Sequence, residues 1–247
     1  MRASASHRTE MTSQLLFGER AEALGKEDKG WLHVRGLHDG YEGWVRDGQL
    51  QAMTVKEARK ATRCLVTSHD SRLVFERGIM RLPLGAELPG LANGMLSVGG
   101  MKATFKGKKL GLKERTLSSK ALIAAAAEAL HAPYLWGGRT VYGIDCSGLI
   151  QLAFKLCGVL LPRDAWQQAE AGTSVDFLLE AKPGDVAFFS NDDGRIVHTG
   201  ILLDANTILH ATETSGRAVI DRIDTEGIIS VSLRRRTHRL RTIRRYF

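Results

Sequence analysis

The sequence predicts an α+β protein in which two small all-β modules precede a domain built from helices and an antiparallel sheet. In the first half, short apolar runs are separated by Gly, Asp and Lys, which is typical of small β-barrels. After residue 116 the pattern changes to helical segments followed by a run of strands, the order expected of an α+β fold. The 247-residue chain is 43% hydrophobic and 25% charged, which indicates a globular protein and excludes a disordered or disulfide-framework chain.

The all-β part divides into two predicted modules, residues 12–50 and 56–112. Strands of the first module are predicted at SQLLFGERAEAL, WLHVRGL and YEGWV, and WLHVRGL shows the alternation of a half-buried strand. Residues 62–80 and 95–105 repeat this pattern in the second module. The segment QAMTVKEARKA at 51–61 predicts a short helix or a linker between the two modules.

The third predicted domain covers residues 117–247. SSKALIAAAAEALHAP predicts a helix with Ser118 or Ser119 as its N-cap, because a Ser side chain accepts a hydrogen bond from the first turn. CSGLIQLAFKLC predicts a second helix over residues 146–157, with Asp145 as N-cap and one apolar face. Strands follow at AKPGDVAFFS, GRIVHTGILLD and TILHAT.

The formal net charge of +8 arises largely at the C-terminus, where seven arginines occupy the last 14 residues. Three interpretations are open: a solvated basic strand and tail, an attraction for small anionic substrates, or a nucleic-acid footprint. No basic stripe interleaved with aromatic residues supports the last, so we expect no nucleic-acid partner. The charge identifies neither a partner nor an oligomeric state.

We expect no membrane partner either, since no apolar run approaches the roughly 20 residues of a membrane-spanning helix. The apolar run near the N-terminus, Leu15 to Phe17, is too short for a secretory signal. The sequence therefore predicts a cytoplasmic location, or a periplasmic or exported one if a leader has been removed.

Cys146 is the candidate nucleophile among three cysteines. Its predicted place in the first turn of a helix exposes the thiol to the helix dipole and to unpaired N–H groups, which should lower its pKa. Its backbone N–H is also a candidate oxyanion donor. Cys64 and Cys157 lack this setting and are predicted to lie in the core. No CxxC spacing indicates a zinc or redox site.

A nucleophilic thiol needs a base and a residue that orients the base. His198 and His210 lie on adjacent predicted strands joined by a turn near residues 204–206. A three-residue turn places the two imidazoles on one face as diagonal neighbours, whereas a two-residue turn places them on opposite faces. We therefore predict His198 as the base or ion-pair partner of the thiol, and His210 as the residue that orients its ring. A zinc site is not supported by any spaced ligand pair, and we expect neither a metal nor a cofactor.

These residues lie in motifs that carry a family resemblance. YLWGGRTVYGIDCSGLIQLAFKLCGVLLPRDAWQQ, followed by KPGDVAFFS, VHTGILLD and ILHAT, resembles the NlpC family of papain-like cell-wall cysteine peptidases over about residues 117–235. The resemblance implies a papain-like catalytic domain with Cys146 as nucleophile, His198 as general base and His210 as third residue. LLFGE and DGYEGWV resemble the bacterial SH3-like domains of γ-D-glutamyl-L-diamino-acid endopeptidases, and the second β module fits a second such barrel.

The resemblance also implies residues that bind the substrate. In that subfamily the free N-terminal amine of L-Ala is held by acidic and hydroxyl side chains. Asp145 and Ser147 match two of these positions, Tyr41 in DGYEGWV matches a third, and Glu19 in LLFGE is a weaker acidic match. A buried ammonium group needs such acceptors. Ala165 stands where the family commonly has Ser, so one hydroxyl contact is missing.

The predicted function is therefore a cysteine endopeptidase that cuts the bond between γ-D-Glu and the diamino acid of peptidoglycan stem peptides bearing a free L-Ala. A cytoplasmic enzyme would meet only small peptides, which suggests murein recycling. The alternatives are a Cys-His amidase or acyltransferase acting on another substrate, and a non-catalytic peptidoglycan-binding module. The third-position residue, diaminopimelate or lysine, is open.

Overall fold

The computed structural model of the protein describes residues 1–27, 29–58, 62 and 64–247. It divides into two compact units, Met1–Arg115 and Thr116–Phe247. Most of the regular structure is strand in both units, and the two longest helices lie in the second. Each unit is therefore described by itself.

In its described residues the regular structure of the first unit is mostly β-strand, with one α-helical turn and two 3-10 turns. Its strands are β1 Ala21–Glu27, β2 Trp31–Gly36, β3 Glu42–Arg46, β4 Cys64–Val66, β5 Arg72–Val74, β6 Ile79–Arg81, β7 Met95–Val98, β8 Met101–Lys106 and β9 Lys109–Gly111. Strands β1 to β3 form one antiparallel sheet, β5 to β8 a second in the order β6-β5-β8-β7, and β4 pairs with β9. The second and third sheets share a buried core: Cys64, Val66, Leu73, Leu82, Ala86, Leu88, Leu96, Ala103 and Phe105.

The short helix predicted within 51–61 is α1, Val55–Ala58. Thr54 begins it as half of a capping box, because its hydroxyl accepts from the Glu57 N–H at 3.2 Å while the Glu57 carboxylate accepts from the Thr54 N–H at 2.8 Å. Residues 59–61 of the predicted segment lie outside the described residues.

The strand predicted at SQLLFGERAEAL begins later than expected, at Ala21. Gly18 explains the delay, since its φ of +81° turns the chain into a conformation that favours glycine. A Cβ at this position would overlap the backbone carbonyl of Glu87. The apolar run before Gly18 therefore packs as an irregular segment, with Phe17 accepting a hydrogen bond from the Glu87 N–H at 2.8 Å.

The second unit contains three helices and nine strands. The helices are α2 Ser119–Ala127, α3 Cys146–Leu156 and α4 Ala165–Gln168. The strands are β10 Arg139–Thr140, β11 Gly143–Ile144, β12 Thr173–Val175, β13 Val186–Ser190, β14 Ile196–Leu202, β15 Thr207–Thr212, β16 Arg217–Asp224, β17 Gly227–Ser230 and β18 Arg235–Arg245. The seven-stranded sheet has the order β12-β18-β13-β14-β15-β16-β17, and β17 also pairs with β18. Strands β13 to β18 thus close into a barrel.

The sequence-predicted helix starts are confirmed at both long helices. Ser118 caps α2 by accepting from the Ala121 N–H at 3.3 Å. Asp145 caps α3 by accepting from the Gly148 N–H at 2.7 Å. Both capping side chains satisfy N–H groups that the helix leaves unpaired. Helix α4, the single turn that follows the LPRD segment, was not predicted from the sequence.

The hairpin formed by β14 and β15 has the three-residue turn required by the prediction. Ile201 lies opposite Leu209, and the Leu203 N–H donates to the Thr207 carbonyl at 2.9 Å. His198 is therefore in register with Thr212, which makes His210 its diagonal neighbour on the same face. The geometric condition on the two imidazoles is confirmed.

Closure of the barrel depends on Gly227, the first residue of β17. Its φ is +142°, and a Cβ there would overlap the carbonyl oxygen of His238 on β18. Only glycine allows the two backbones to approach so closely. The barrel encloses a buried core made of Val175, Leu178, Ala187, Phe189, Leu202, Ile208, Ile223, Ile228 and Ile243.

The arginine-rich C-terminus is strand β18, in agreement with the interpretation of a basic strand. Two of its arginines are paired: Arg236 with Asp224 at 2.5 Å and Arg245 with Asp185 at 2.7 Å. Part of the positive charge is therefore paired with carboxylates of neighbouring segments in the same unit.

Within the described part of the chain, the helices are too short or too polar for any of them to cross a membrane.

Candidate active site

Cys146 is the first residue of α3, and the thiol is buried, with 8% of the residue exposed. Backbone N–H groups of Thr199 and Ser147 hydrogen-bond the sulfur. Thr199 follows His198 on β14, so the contact brings the thiol beside the strand that carries the predicted base. The N-terminus of α3 therefore lies against β14, next to His198.

The prediction of a lowered thiol pKa is wrong for the free protein. Burial raises the pKa of Cys146 to about 12, and the negative charge of Asp145 adds to this effect. Hydrogen bonds from Thr199 and Ser147 and the charge of Arg163 oppose it without reversing it. The helix terminus acts on a thiol that has been removed from water, and desolvation is the larger effect.

His198 and His210 contact each other directly. Nε2 of His198 lies 2.8 Å from Nδ1 of His210, and both residues are buried, at 5% and 1% exposed. Burial lowers the pKa of His198 well below its usual value, and positive charge on His238 or His210 lowers it further. Cys146 and His198 therefore rest as a neutral thiol and a neutral imidazole, and the thiol must lose its proton as it reacts.

Asp221 extends this pair to a third strand. Its Oδ2 lies 3.2 Å from Nε2 of His210, and its Oδ1 accepts from the Val231 N–H at 2.8 Å. Burial alone would raise the pKa of Asp221, but the hydrogen bonds from His210 and Val231 and nearby positive charge lower it. Asp221 is thus an ionised acceptor at neutral pH.

The ionised Asp221 fixes which nitrogen of each ring carries a proton. A carboxylate only accepts, so Nε2 of His210 carries hydrogen, and in the neutral ring Nδ1 then accepts. Nε2 of His198 must then donate to that Nδ1, which leaves the lone pair on Nδ1 of His198. This nitrogen can take a proton from a thiol. The chain from Asp221 through His210 to His198 therefore sets the tautomer of a base.

Gly200 allows the two imidazole strands to pack so closely. A Cβ at Gly200 would lie 2.8 Å from Cβ of His210 and from a methyl carbon of Ile208. Any larger residue would push His210 away from His198. The glycine is two residues beyond His198, on the same face of the strand.

Asp221 and His238 also belong to this cluster, although neither was predicted from the sequence. His238, on β18, stacks on His198 with ring centroids 4.0 Å apart and an angle of 22° between the planes. A signal existed for Asp221, because it shares the strand parity of Ile223, a buried residue, in RAVIDRID. None existed for His238, which is surrounded in sequence by arginines.

Asp145 is committed to a buried network, in which Arg163 is a further residue that the sequence analysis missed. Arg163 is 2% exposed and donates to both Asp145 oxygens, at 3.1 and 2.5 Å, and to the Ser147 hydroxyl at 2.7 Å. The Gly137 N–H also donates to Asp145 at 2.9 Å. Asp145 and Ser147 thus lie together beside Cys146 as predicted neighbours, with Arg163 as their cationic partner.

The glycines around Cys146 pack a loop against the helix. A Cβ at Gly148 would overlap the carbonyl oxygen of Gly138, and a Cβ at Gly138 would overlap that of Gly143. These glycines therefore allow close backbone contact between residues 135–144 and the first turn of α3.

Glu19 and Tyr41 belong to the first unit, where they lie near the same turn. Oε1 of Glu19 is 3.8 Å from Nε2 of His38, and the Glu19 side chain is fully buried. The Tyr41 N–H donates to Oδ1 of Asp39 at 3.0 Å, and Oδ2 of Asp39 lies 2.9 Å from the same His38 nitrogen. Glu19 is therefore not a solvated turn charge.

Two parts of the chain match known protein families. Residues 131–237 match the NlpC/P60 family, and residues 1–50 match the bacterial dipeptidyl-peptidase Sh3 domain. The first match includes Cys146, His198 and His210 as well as Asp221 and Arg163. The second includes Glu19 and Tyr41.

Two similar proteins carry the same name. The γ-D-glutamyl-L-lysine dipeptidyl-peptidase of Bacillus subtilis (strain 168) is 29% identical over 217 residues, covering 82% of this chain and 72% of the relative. The protein of the same name from Bacillus cereus is 26% identical over 246 residues, covering 89% of this chain and 72% of the relative.

The fold is shared with a solved structure. A crystal structure of an NlpC/P60 family protein from Bacillus cereus matches with a TM-score of 0.81 at 22% identity, covering 95% of this chain and 82% of that one. By the two family matches, the chain carries an NlpC/P60 cysteine peptidase domain at residues 131–237 and a bacterial SH3-type domain at residues 1–50.

Proposed function

We propose that this protein is a cysteine peptidase that hydrolyses the bond between γ-D-Glu and the following diamino acid in peptidoglycan stem peptides. The observation that carries the proposal is the buried chain from Asp221 through His210 to His198, beside the thiol of Cys146. The substrate class is supported by the relatives, which are named γ-D-glutamyl-L-lysine dipeptidyl-peptidases. Lysine is accordingly the first candidate for the third position, and diaminopimelate the second.

The proposed chemistry is acyl transfer through a thioester. As the sulfur of Cys146 attacks the γ-carbonyl carbon of D-Glu, Nδ1 of His198 takes the thiol proton. The imidazolium then gives this proton to the departing amine of the diamino acid as the C–N bond breaks. Water attacks the thioester, with His198 again as base, and the acid product and free thiol are released. His210 and Asp221 stabilise the imidazolium without touching substrate.

The amine-binding roles of Asp145, Ser147, Tyr41 and Glu19 are part of the proposal. Asp145 and Ser147 are supported by their position next to Cys146, although both also bind Arg163. Glu19 and Tyr41 are supported by their motif match in the domain at residues 1–50. If these groups bind an ammonium group, activity requires a free L-Ala amine, because carboxylate and hydroxyl acceptors stabilise a cation and not a neutral amide.

Digestion of matched peptides tests the function. L-Ala-γ-D-Glu-L-Lys should yield L-Ala-D-Glu and lysine, measured by mass spectrometry, whereas the N-acetylated peptide and intact sacculi should be cut at least about 100-fold more slowly. The cleavage rate of the corresponding diaminopimelate tripeptide, compared with that of the lysine tripeptide, shows which residue is preferred at the third position. Equal cleavage of free and blocked peptides would remove the amine requirement, and cleavage of neither would contradict the proposed function.

A substitution at Asp221 tests the proton chain. In Asp221→Asn the amide oxygen still accepts the hydrogen bond from the Val231 N–H. The NH₂ group therefore faces Nε2 of His210 and donates to it. His210 then carries its proton on Nδ1, which reverses the tautomer of His198 and leaves no lone pair for the thiol. We expect kcat to fall by about 100-fold for Asn and only about 10-fold for Asp221→Ala.

The matched control for these variants is Asp224→Asn. Asp224 lies on the same strand, and its carboxylate pairs with the exposed Arg236 instead of a buried imidazole. It should leave kcat unchanged. An Asn variant at 221 that is as active as the Ala variant would contradict the assigned tautomers.

Domain organisation and location are also proposals. We propose that residues 56–112 form a second SH3-like domain, supported by the buried core that β4, β5, β7 and β8 help to form. A role in murein recycling, in the cytoplasm, is supported by the expected preference for small peptides with a free amine. Fractionation of cells with an antibody against this chain checks the location.

A further inference from the structure

His238 is the third imidazole of the barrel and has no role in the proton chain from Asp221 to Cys146. Its ring lies face to face with His198, and its edge faces His210, with centroids 5.9 Å apart and an angle of 89° between the planes. Its partners in register, Ile228 on β17 and then Ile223 on β16, belong to the buried core. His238 therefore points into the barrel, against the candidate base.

The ring of His238 is itself held from three sides. The ring of Phe189 lies edge-on to the His238 ring, with the two centroids 6.0 Å apart, and its centroid is 5.7 Å from that of His198. Nδ1 of His238 lies 2.9 Å from the Thr237 hydroxyl. Its backbone is pressed against Gly227, where no Cβ fits. The stacking surface beneath His198 is thus preorganised by strands other than the one that carries His198.

We propose that His238 is a positioning residue whose stacked ring fixes the plane of the His198 imidazole, so that Nε2 stays on His210 while Nδ1 serves the thiol of Cys146. The proposal deepens the proposed function and rests on it for the role of His198. A single hydrogen bond to His210 leaves the His198 ring free to tilt about that bond, whereas a flat contact at 4.0 Å restricts the tilt.

The same contact has an electrostatic consequence. The titratable groups that face His238 are His198, His210 and Asp221. Burial lowers the pKa of His238 to about 4, the charge of His210 lowers it further, and Asp221 opposes this. In turn, positive charge on His238 lowers the pKa of His198. Replacing His238 by an uncharged ring should therefore raise the pKa of His198.

Alkylation of Cys146 by iodoacetamide tests the inference without any peptide substrate. The rate is followed from pH 3 to 9 by mass spectrometry of the Cys146 peptide, which separates it from Cys64 and Cys157. The rate should fall at low pH as His198 becomes protonated, because a protonated imidazole cannot accept the thiol proton. The plateau rate reports the alignment of His198, and the midpoint of the acid limb reports its pKa.

Two substitutions separate stacking from charge. His238→Ala should lower the plateau about 10-fold, since the ring of His198 loses its support, and His238→Phe should recover most of that loss. Both should move the acid limb to higher pH, because both remove the charge that disfavours protonation of His198. Leu240→Ala is the matched control: it truncates a partly buried side chain on the same strand and should leave the acid limb in place.

Several outcomes would overturn the role of His238. These are a His238→Ala profile equal to the wild type, a Phe variant no better than the Ala variant, or an equal loss of plateau in Leu240→Ala. If His238→Ala does not fold, His238→Leu takes its place as a non-aromatic variant of similar size, and a Leu plateau equal to that of the Phe variant contradicts the inference. A shifted alkylation profile in a protein that cuts no stem peptide would support His238 while contradicting the proposed function.

Discussion

Replacing Cys146 with alanine is expected to lower hydrolysis of L-Ala-γ-D-Glu-L-Lys by at least about 10⁴-fold, to the limit of detection. The remaining groups can bind substrate and polarise a carbonyl, but none of them can form the thioester. The measurement is release of lysine by the wild type and the variant at equal protein concentration. Retained hydrolysis would contradict the assignment of the nucleophile.

The fold of the Cys146→Ala variant should be intact, because alanine keeps the Cβ and a helix-compatible backbone at the first position of α3. Circular dichroism and the melting temperature check this. Cys157→Ala is the matched control on the same helix. Cys157 is also buried but follows the last residue of α3, so its loss should leave kcat unchanged and cost about 1 kcal/mol of stability.

Replacing Arg163 with methionine is expected to lower the free energy of unfolding of the second unit by about 3–5 kcal/mol. The change leaves the Asp145 carboxylate buried with backbone and hydroxyl donors but no cation. Methionine fills most of the volume, so the loss reports the charge and its hydrogen bonds more than a cavity. Calorimetry of the full chain measures it as a shift of the unfolding transition.

Two further variants separate burial of charge from loss of an ion pair. Arg236→Met breaks an exposed two-contact pair with Asp224 and should leave the unfolding transition nearly unmoved, because water screens this pair. Asp145→Asn combined with Arg163→Met removes both buried charges and should recover part of the loss. If Arg163→Met costs no more than Arg236→Met, the buried network does not stabilise the start of α3.

Local rules predicted the parts of this site that depend on neighbouring residues. Asp145 caps the helix that Cys146 begins, because an acidic side chain before an amphipathic run satisfies the first N–H groups. His198 and His210 share a face, because a three-residue turn and a period of two set the register of the hairpin. Both inferences concern residues within about a dozen positions of each other.

The contacts of His238 and Arg163, which the sequence did not predict, join distant segments. His238 reaches the imidazole pair because β18 pairs with both β13 and β17 and so closes the barrel. Arg163 lies 18 positions after Asp145 along the chain. Asp221 is nearer, only 11 positions from His210 on the strand that pairs with β15, and its strand parity was the available signal. A lone Arg in an LPRD segment, or a His in an arginine-rich tail, looks the same in sequence whether it is solvated or buried.

The sequence by itself determined the order of elements, the helix caps, the hairpin register and the identity of the candidate nucleophile and base. Only the tertiary structure decided the protonation of that pair. The helix terminus favours a thiolate through nearby N–H groups, which sequence predicts, but burial and Asp145 favour the thiol more strongly. Desolvation depends on every segment packed over the site, so its size could not be deduced from the residues around Cys146.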